Sequence, residues 1–448
     1  MNIKNNIVIL GAGESGVGAA ILAIKQGATV FVSDKSPIKA NYKNELQSLN
    51  IDFEEGVHSE EKILSADLII KSPGIPDKAP LVVAAKEKGI PIISEIEYAS
   101  RYTNAKIVAI TGSNGKTTTT SLLYHICKKA GLNVGLGGNI GTSFARQVAD
   151  NTFDLYVLEL SSFQLDGCFD FCPNISILCN ITEDHMDRYD YKIENYIRSK
   201  FRIAQKQTAS DSFIYCADDE ISQQWLPKMN LKAQIFPISS NQVFQENAAW
   251  KEDQNLIFNH NHNQFEMQVH ELALTGMHNT YNSMAAGMAA KLLGVRKEII
   301  RESLQDFKSL EHRMEFVSTI RGIDFMNDSK ATNVNSTWFA LESISKPIIW
   351  IAGGVDKGND YTQLKELVKN KVKAIVCLGK DNEKIHHAFS EDVGYILDTD
   401  NAEEAVAMAY NLAEKGELVL LSPACASFDL FENYEDRGRQ FKRAVMAL

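Results

Sequence analysis

Residues 107–126, IVAITGSNGKTTTTSLLYHI, contain a turn that could hold phosphate groups. An apolar run is followed by four small or polar residues and then by a helical pattern that opens with Lys116 and Thr117; the four are Gly112, Ser113, Asn114 and Gly115. Glycines let backbone N–H groups converge on phosphate oxygens, and a helix start adds partial positive charge. Lys116 is placed to reach the outer phosphates and Thr117 to ligate Mg²⁺. Ile110 stands where the common eight-residue loop has glycine, so the pattern predicts a shortened nucleotide-binding loop.

A second glycine-rich turn, GAGESG at residues 11–16, follows the first apolar run of the chain. Asp34 closes the next apolar run about twenty residues later, as in the dinucleotide fingerprint with its pyrophosphate cradle and ribose-binding acid. Taken alone this motif suggests NAD. A UDP-sugar also carries a pyrophosphate and a ribose, and a turn that serves only tight packing would look the same.

Acidic residues follow two later apolar runs. Glu159 ends the run YVLE, and Glu183, Asp184, His185 and Asp187 cluster after NISILCNIT. An acid after a phosphate loop usually assists Mg²⁺, and ligands of parallel sheets lie beyond the carboxyl ends of the strands. Glu159 could instead face solvent, and the later cluster could be an ordinary polar loop.

Two helical stretches carry polar residues that local pattern explains without a catalytic role. In YIRSKFRI, Lys200 flanks an apolar face made by Ile197 and Phe201, and the residues alone predict a solvated lysine. Asn279 and Asn282 open a stretch rich in Ala and Met, where Asn279 could cap a helix.

Further charged strings lie near residue 309. EHRME contains Arg313, and NDSKATN contains Asp328, Lys330 and Thr332. An Arg and a Lys of this kind suit the recognition of phosphate.

The elements that position these residues repeat one order: apolar strand, glycine turn, helix, strand. This alternation predicts an α/β fold with parallel sheets covered by helices. Three such blocks place the domain boundaries at residues 1–94, 95–308 and 309–448. A hairpin pattern near the end of the second block places His260 and His262 in its turn.

Composition limits the classes of protein. The chain has 448 residues and a formal net charge of -11, and it has no cluster of Lys and Arg, so we expect no nucleic-acid partner. Seven scattered cysteines are expected to be reduced thiols. The amino terminus has too short an apolar run for a signal peptide and no segment suits a membrane span, so we expect a cytoplasmic protein that does not bind membranes.

Taken together, the motifs resemble the Mur ligase family of bacterial cell-wall synthesis. The strings that carry the resemblance span all three blocks: TGSNGKTT, GGNIG, LELSSFQL, TEDHMDRY, the HNxxN pattern at 278–282, EHRME, NDSKATN and SPACASFD. LELSSFQL and SPACASFD are typical of the member that adds D-glutamate. The resemblance implies a Rossmann-like amino-terminal domain that binds UDP, a central P-loop ATPase domain with a parallel sheet, and a Rossmann-like carboxyl-terminal domain that receives the amino acid.

The resemblance also implies the reaction. ATP would phosphorylate the carboxylate of UDP-N-acetylmuramoyl-L-alanine, and the amine of D-glutamate would displace phosphate from the acyl phosphate. The expected cofactors are ATP and Mg²⁺ at two sites, with Lys200 carbamylated so that it acts as a carboxylate. We expect a monomer.

Residue roles follow from the matching strings. The expected catalytic residues are Lys116, Glu159, His185, Lys200 and Lys330, and the expected metal ligands are Thr117, Glu159, His185 and carbamylated Lys200. ATP would contact Gly112, Ser113, Asn114, Gly115, Lys116, Thr117, Thr118, Asn279, Asn282, Arg313 and Asp328. The UDP substrate would contact Gly13, Ser15, Asp34, Ser72, Gly74, Asn139 and His185, and D-glutamate would contact Thr332, Lys357, Ser427 and Phe428.

Some features depart from the expected pattern and leave alternatives open. Glu14 in the glycine-rich turn and Lys35 after Asp34 differ from the residues that the resemblance predicts around an anionic UDP group and its uracil. Other Mur ligases and folylpolyglutamate synthetase share the central domain. The alternative of an NAD-dependent oxidoreductase is supported only by GAGESG and Asp34. The alternative of a non-catalytic nucleotide-binding protein does not explain a second metal site.

Overall fold

Runs of branched aliphatic residues form the strands, and most of these runs end at glycine or at a polar residue. The computed structural model describes residues 6–308 and 311–448. In these ranges the strands form sheets of five, nine and six members, in chain order. None of the helices in the same ranges combines the length and apolar character that a bilayer crossing requires.

The first sheet is parallel, with strand order β3-β2-β1-β4-β5. Because the order reverses beside β1, a crevice for ligands is expected at the carboxyl ends of β1 and β4. Gly11 follows β1 and Ser72 follows β4, so both expected UDP loops border this crevice. The elements are β1 (Asn6–Leu10), α1 (Glu14–Lys25), β2 (Thr29–Asp34), α2 (Ala40–Ser48), β3 (Asp52–Glu55), α3 (Glu60–Ile63), β4 (Leu68–Lys71), α4 (Pro80–Glu87), β5 (Ile92–Ile93) and α5 (Glu95–Ser100).

The second sheet has the order β14-β13-β12-β11-β10-β9-β6-β8-β7. Only the β12–β13 and β13–β14 pairs are antiparallel, and β13 and β14 form the predicted hairpin. Its strands are β6 (Lys106–Thr111), β7 (Val134–Gly138), β8 (Leu155–Glu159), β9 (Ile175–Leu178), β10 (Ser212–Cys216), β11 (Gln234–Ser239), β12 (Ala248–Glu252), β13 (Asn255–His260) and β14 (Asn263–Gln268). Its helices are α6 (Lys116–Lys129), α7 (Phe144–Asp150), α8 (Ser162–Leu165), α9 (Ile193–Phe201), α10 (Glu220–Trp225), α11 (Met277–Leu292) and α12 (Lys297–Asp306), with short 3-10 helices at Met186–Tyr189, Arg202–Ala204, Leu226–Lys228 and Val269–Glu271.

The third sheet has the order β15-β16-β20-β17-β18-β19, and only the β15–β16 pair is antiparallel. Its strands are β15 (Glu315–Ile320), β16 (Ile323–Asn327), β17 (Ile348–Ala352), β18 (Val372–Leu378), β19 (Tyr395–Thr399) and β20 (Leu418–Leu421). Its helices are α13 (Val334–Ser343), α14 (Lys365–Lys371), α15 (Glu383–Phe389), α16 (Ala402–Leu412) and α17 (Tyr434–Met446), with a 3-10 turn at Tyr361–Leu364.

The chain divides into two compact units. One comprises Met1–Ala273 and Asn279–Phe307 and holds the first two sheets; the other comprises Leu274–His278 and Lys308–Leu448 and holds the third. The expected domain boundaries at 94/95 and 308/309 stay predictions, and residue 309 lies outside the described residues.

A buried carboxylate on α5, the helix after the first sheet, accepts hydrogen bonds from a segment that precedes β9 of the second sheet. Glu97 on α5 is fully buried, and its Oε2 accepts hydrogen bonds from the backbone N–H groups of Phe169, Asp170 and Phe171 at 3.0, 3.0 and 2.9 Å. Its Oε1 accepts from Arg101 at 3.0 Å. A buried carboxylate that accepts several hydrogen bonds is costly to remove, because each donor would lose its partner.

We expect Glu97→Ala to destabilise the first unit by about 1–3 kcal/mol, because it leaves three backbone N–H groups, among them that of the buried Phe171, without their acceptor. Thermal unfolding followed by circular dichroism would show a lower midpoint. Glu87→Ala, at the exposed end of α4, is the matched control and should leave the midpoint unchanged. Equal midpoints for the two variants would contradict the role given to Glu97.

Candidate active site

The turn between β6 and α6 admits only glycine at both of its ends. Gly112 has a φ of 153° and Gly115 a φ of 81°, both in the left-handed region. A Cβ on Gly112 would lie 2.8 Å from the Cβ of Cys179, and a Cβ on Gly115 would overlap the side-chain oxygen of Asn282. Without side chains in the way, the N–H groups at the start of the 14-residue α6 can face a bound anion.

The segment after β9 braces this turn. Asn180 accepts from the backbone N–H groups of Ser113 and Asn114, each at 2.9 Å, through its main-chain and side-chain oxygens. The Ser113 hydroxyl donates to the carbonyl of Thr182 and accepts from its N–H, both at 2.9 Å. The structure therefore places the acidic cluster that begins after Thr182 next to the phosphate loop.

Two lysine ammonium groups meet at one carbonyl oxygen of the loop. Lys116 Nζ donates to the carbonyls of Gly112 and Ser113 at 2.7 and 2.8 Å, and Lys200 Nζ donates to the carbonyl of Gly112 at 2.7 Å. Lys200 Nζ also lies 4.4 Å from the ring centroid of Tyr196. Both lysines can therefore face a phosphate held by the loop.

Lys200 is not the solvated lysine that its helix pattern predicts. Its exposure is only 1% because its helix packs beneath the phosphate loop and carries the amine to the carbonyl of Gly112. Burial first, and the neighbouring charge of Lys116 second, hold the pKa of Lys200 well below its usual value. The low pKa favours the neutral amine, which is the nucleophilic form.

Glu159 lies beside the loop and not in solvent. Register places it next to Ile110 on β6, and its exposure is 1%. Asn139 donates from its side chain to Glu159 Oε1 at 2.8 Å and from its backbone N–H to the carbonyl of Glu159 at 2.8 Å. The structure thus brings together an expected metal ligand and an expected UDP-substrate contact.

His185 stands in a tight loop beside Phe163, which lies on α8 just after Glu159. Its φ is 56°, its Nε2 lies 3.6 Å from Asp184 Oδ2, and its ring centroid lies 4.9 Å from that of Phe163. Its side chain is about one-third exposed, so its nitrogens can reach a ligand.

The oxygen donors near the loop fit Mg²⁺. Thr117 offers a hydroxyl at the start of α6. Glu159 offers a carboxylate at the end of β8, which pairs with the strand before the loop, β6. An imidazole nitrogen such as that of His185 is a less typical Mg²⁺ ligand, and Lys200 would supply an oxygen only after carbamylation. Thr118 is buried one residue further along α6.

In the first sheet, Asp34 holds the glycine-rich turn together. Its carboxylate accepts from the backbone N–H groups of Ala12 at 2.7 Å and Ser36 at 2.8 Å. Gly11 must be glycine because its Cβ would lie 2.5 Å from the Ser72 hydroxyl. The other expected UDP contacts lie at the same edge of the sheet: Gly13 and Ser15 at the start of α1, and Gly74 after β4.

The unexpected Glu14 has a structural partner. Its Oε1 accepts from the backbone N–H of Ser143 at 3.0 Å and from Arg146 Nε at 3.1 Å. Arg146 also pairs with Glu45 on α2. The acid in the glycine-rich turn therefore faces α7 of the second sheet, at the end of the loop that carries Asn139.

Asn282 joins the phosphate loop, whereas Asn279 does not cap its helix. Thr119 Oγ1 on α6 donates to Asn282 Oδ1 at 3.1 Å, and Asn282 Nδ2 donates to Asn279 Oδ1 at 3.2 Å. Because α11 begins at Met277, Asn279 lies in its first turn, and the prediction of an N-cap there is wrong.

In the second unit, Asp328 is buried beside Arg313. The Asp328 carboxylate accepts from the Ser422 hydroxyl at 2.9 Å and from the N–H of Met314 at 3.2 Å. Burial raises the pKa of Asp328 to about 7, against the opposing effects of Ser422 and Arg313. Lys330 Nζ lies 5.2 Å from the ring centroid of Tyr434.

Backbone hydrogen bonds bring together the segments expected to bind D-glutamate. The N–H of Ala424 donates to the carbonyl of Ala331 at 3.0 Å, and Val355 and Ala426 exchange two hydrogen bonds of 2.8 and 3.2 Å. The expected contacts follow directly in these segments: Thr332, Lys357, Ser427 and Phe428. Ser427 is buried, whereas Lys357 and Phe428 are exposed.

Sequence reasoning missed Arg437, which ties these segments to one another. Its side chain is 1% exposed and donates to the carbonyl of Ser329 at 2.9 Å, to that of Cys425 at 3.2 Å and to that of Gly353 at 3.4 Å. In the sequence it is one of several charged residues of α17, and nothing local distinguishes it from Arg439.

The architecture is that of a three-domain α/β protein with a phosphate loop in its central domain. Three family models match the chain: the Mur ligase MurD-like amino-terminal domain at residues 5–94, the Mur ligase middle domain at 110–290, and the Mur ligase glutamate ligase domain at 312–425. The chain belongs to the Mur ligase family, which confirms the expected fold class.

Individual proteins are similar over the whole length. The UDP-N-acetylmuramoylalanine--D-glutamate ligase of Christiangramia forsetii is 56% identical over 442 residues, 99% of both chains, and that of Bacteroides thetaiotaomicron is 56% identical over 450 residues, again 99% of both. Among solved structures, the UDP-N-acetylmuramate-alanine ligase MurC of Thermotoga maritima has a TM-score of 0.62 with 18% identity and covers 99% of each chain. The MurF ligase of the same organism, in complex with ADP, has a TM-score of 0.62 with 14% identity and covers 100% of this chain and 96% of its own.

We expect Gly115→Ala to weaken ATP binding at least about tenfold, because left-handed strain of about 1–2 kcal/mol adds to the collision with Asn282. Isothermal titration calorimetry with ATP measures the loss. Gly131→Ala, after the other end of α6, has a φ of 77° and open space around its Cβ, so it carries the strain without the collision. An equal loss of affinity in both variants would contradict the assignment of the loop.

Proposed function

We propose that this chain is an ATP-dependent ligase that joins D-glutamate to UDP-N-acetylmuramoyl-L-alanine in the synthesis of peptidoglycan precursors. The main structural support for the ligase reaction is that Lys116 and Lys200 both donate to the carbonyl of Gly112 and that Glu159 provides a buried carboxylate at the end of the neighbouring strand. The choice of substrates is supported by the full-length identity to ligases of that name.

The reaction needs a leaving group, because a carboxylate is a poor acceptor for an amine. The carboxylate oxygen attacks the γ-phosphorus of ATP, ADP departs, and an acyl phosphate forms. The amine nitrogen of D-glutamate then attacks the acyl carbon, the C–O bond to phosphate breaks, and the products are the amide and inorganic phosphate. Two anions must approach each other, so local cations are required in a chain with a net charge of -11.

The phosphate loop and its lysines supply this local positive charge. In our proposal, the backbone N–H groups of Gly115, Lys116, Thr117 and Thr118 at the start of α6 hold the ATP phosphates, and Lys116 would follow the γ-phosphoryl group as its charge redistributes. Glu159, Thr117 and His185 would hold Mg²⁺, which neutralises phosphate charge when it is bound. Asn139 fixes the orientation of Glu159 through their hydrogen bond.

We further propose that Lys200 is carbamylated. A buried amine with a lowered pKa can attack CO₂, so that N–C bond formation and loss of a proton give a carbamate anion. The carbamate would turn a cationic side chain into a second oxygen ligand for Mg²⁺. The closeness of Lys116 supports this role, because a buried carbamate anion would then have a cation beside it.

The remaining roles are proposals on the same basis. The UDP group would lie at the carboxyl edge of the first sheet, against Gly13, Ser15, Asp34, Ser72 and Gly74. Asn279, Asn282, Arg313 and Asp328 would contact ATP, Lys330 would act in catalysis, and Thr332, Lys357, Ser427 and Phe428 would bind D-glutamate. We propose a cytoplasmic monomer with domains at residues 1–94, 95–308 and 309–448.

The direct test measures ADP release with ATP, Mg²⁺ and UDP-N-acetylmuramoyl-L-alanine while the amino acid is varied. We expect release with D-glutamate and at least about a hundredfold less with L-glutamate or a diamino acid, because a polar site that matches one substrate leaves groups unpaired with another. Release that depends on a different amino acid would contradict the substrate and retain the ligase class.

A second test concerns the carbamate. We expect Lys200→Ala to lose nearly all turnover, and excess bicarbonate not to restore it, because no amine remains to accept CO₂. Lys206→Ala, an exposed lysine paired with Asp170, is the matched control and should keep wild-type turnover. Carbon-13 NMR of wild-type protein in labelled bicarbonate should show a carbamate signal that Lys200→Ala lacks; wild-type activity in Lys200→Ala would rule the carbamate out.

A further inference from the structure

One arginine joins the loop after β4 to helix α8 beside the candidate active site. Arg188, in the 3-10 turn Met186–Tyr189, donates from Nη1 to the carbonyl of Gly74 at 3.3 Å. Its Nη2 donates to the carbonyls of Pro73 at 3.2 Å and Ile75 at 3.4 Å. Its guanidinium carbon lies 4.4 Å from the ring centroid of Phe163.

These contacts connect the first sheet to the second. Residues 73–75 follow β4 at the carboxyl edge of the first sheet, and Phe163 lies on α8, just after the strand that ends in Glu159. Phe163 in turn makes an edge contact with the ring of His185. The guanidinium therefore lies between the loop that contains Gly74 and the ring that supports His185.

The His185 loop needs support from outside itself. His185, Asp190 and Tyr191 have φ angles of 56°, 55° and 56°, a conformation that costs non-glycine residues about 1–3 kcal/mol each and persists only where surrounding contacts impose it. The 3-10 turn between them has four residues and weak internal hydrogen bonding. Arg188 lies inside this strained segment and makes its contacts with the first sheet.

We propose that Arg188 is a positioning residue that couples the Pro73–Ile75 loop to His185, so that the UDP-binding edge of the first sheet sets the place of the catalytic histidine. This inference rests on the proposed function for its kinetic consequence, whereas the mechanical coupling is independent of it. The guanidinium suits the task because its planar fork can donate to several carbonyl oxygens while one face stacks on Phe163. A lysine has no such plane.

Hydrogen–deuterium exchange of the ligand-free protein tests the coupling without any assumption about the reaction. Informative amides are those of Ile75, bonded to Ser72, and of Tyr191 and Lys192, bonded to Met186 and Tyr189. We expect Arg188→Met to accelerate exchange at least about tenfold in peptides that cover residues 72–76 and in those that cover 183–192. Arg198→Met removes an exposed arginine that stacks on Trp225 and should leave both peptides as in the wild type.

Kinetics separates a positioning role from a general loss of structure. We expect Arg188→Met to lower kcat about 10- to 100-fold and to raise KM for UDP-N-acetylmuramoyl-L-alanine, because small misplacements of reacting groups have effects of this size. KM for ATP should stay within about twofold, since Asn180 and Thr182 brace the phosphate loop through hydrogen bonds of their own. An equal rise in both KM values would overturn the proposal.

Hydrogen–deuterium exchange tests the coupling by Arg188 even if the proposed function is refuted or Arg188→Met does not fold. A wild-type enzyme without D-glutamate-dependent turnover would refute the proposed function, and the exchange result would still confirm or overturn the coupling. Arg188→Lys is the second variant, and we expect it to accelerate exchange in both peptides by a smaller factor. Wild-type exchange in both peptides of the folded variants would overturn the role of Arg188.

Discussion

The candidate site depends on the carbonyl oxygen of Gly112, where the amines of Lys116 and Lys200 converge. Burial disfavours the charged form of Lys200, and the neighbouring charge of Lys116 adds to this effect. The lowered pKa of Lys200 is the physical consequence of this arrangement. Lys116 can bind phosphate through its charge, while the lowered pKa of Lys200 favours the neutral, nucleophilic form of its amine.

The first sheet is attached to this centre by buried or half-buried charged groups. Glu14 binds α7 through Arg146, Glu97 binds the segment before β9, and Arg188 binds the loop after β4. Each contact joins a charged side chain to backbone groups or to an opposite charge, so each is directional and specifies a position as well as a contact. The apolar core of the unit supplies attraction without that specificity.

In the second unit, a single arginine holds several loops together. Its loops at the carboxyl edge of the third sheet have no regular structure of their own, and Arg437 donates to carbonyls in three of them. The buried Asp328, held by Ser422 and by the N–H of Met314, adds a titratable group to the same edge. Loops fixed in this way can present side chains as different as the buried Ser427 and the exposed Phe428.

Local pattern by itself determined the strands, the glycine turns and the phosphate loop, because these depend on residues that are neighbours in the chain. The strand runs of the three sheets, the hairpin turn at residues 261–262 and the position of Glu159 at the end of β8 follow from such patterns. Tertiary structure alone decided that Lys200 is buried, that Glu14 pairs with Arg146, and that Arg188 and Arg437 join distant loops. Each of these outcomes depends on a partner far away in sequence, and whether a polar side chain meets solvent or a buried partner is set only when the distant segments pack.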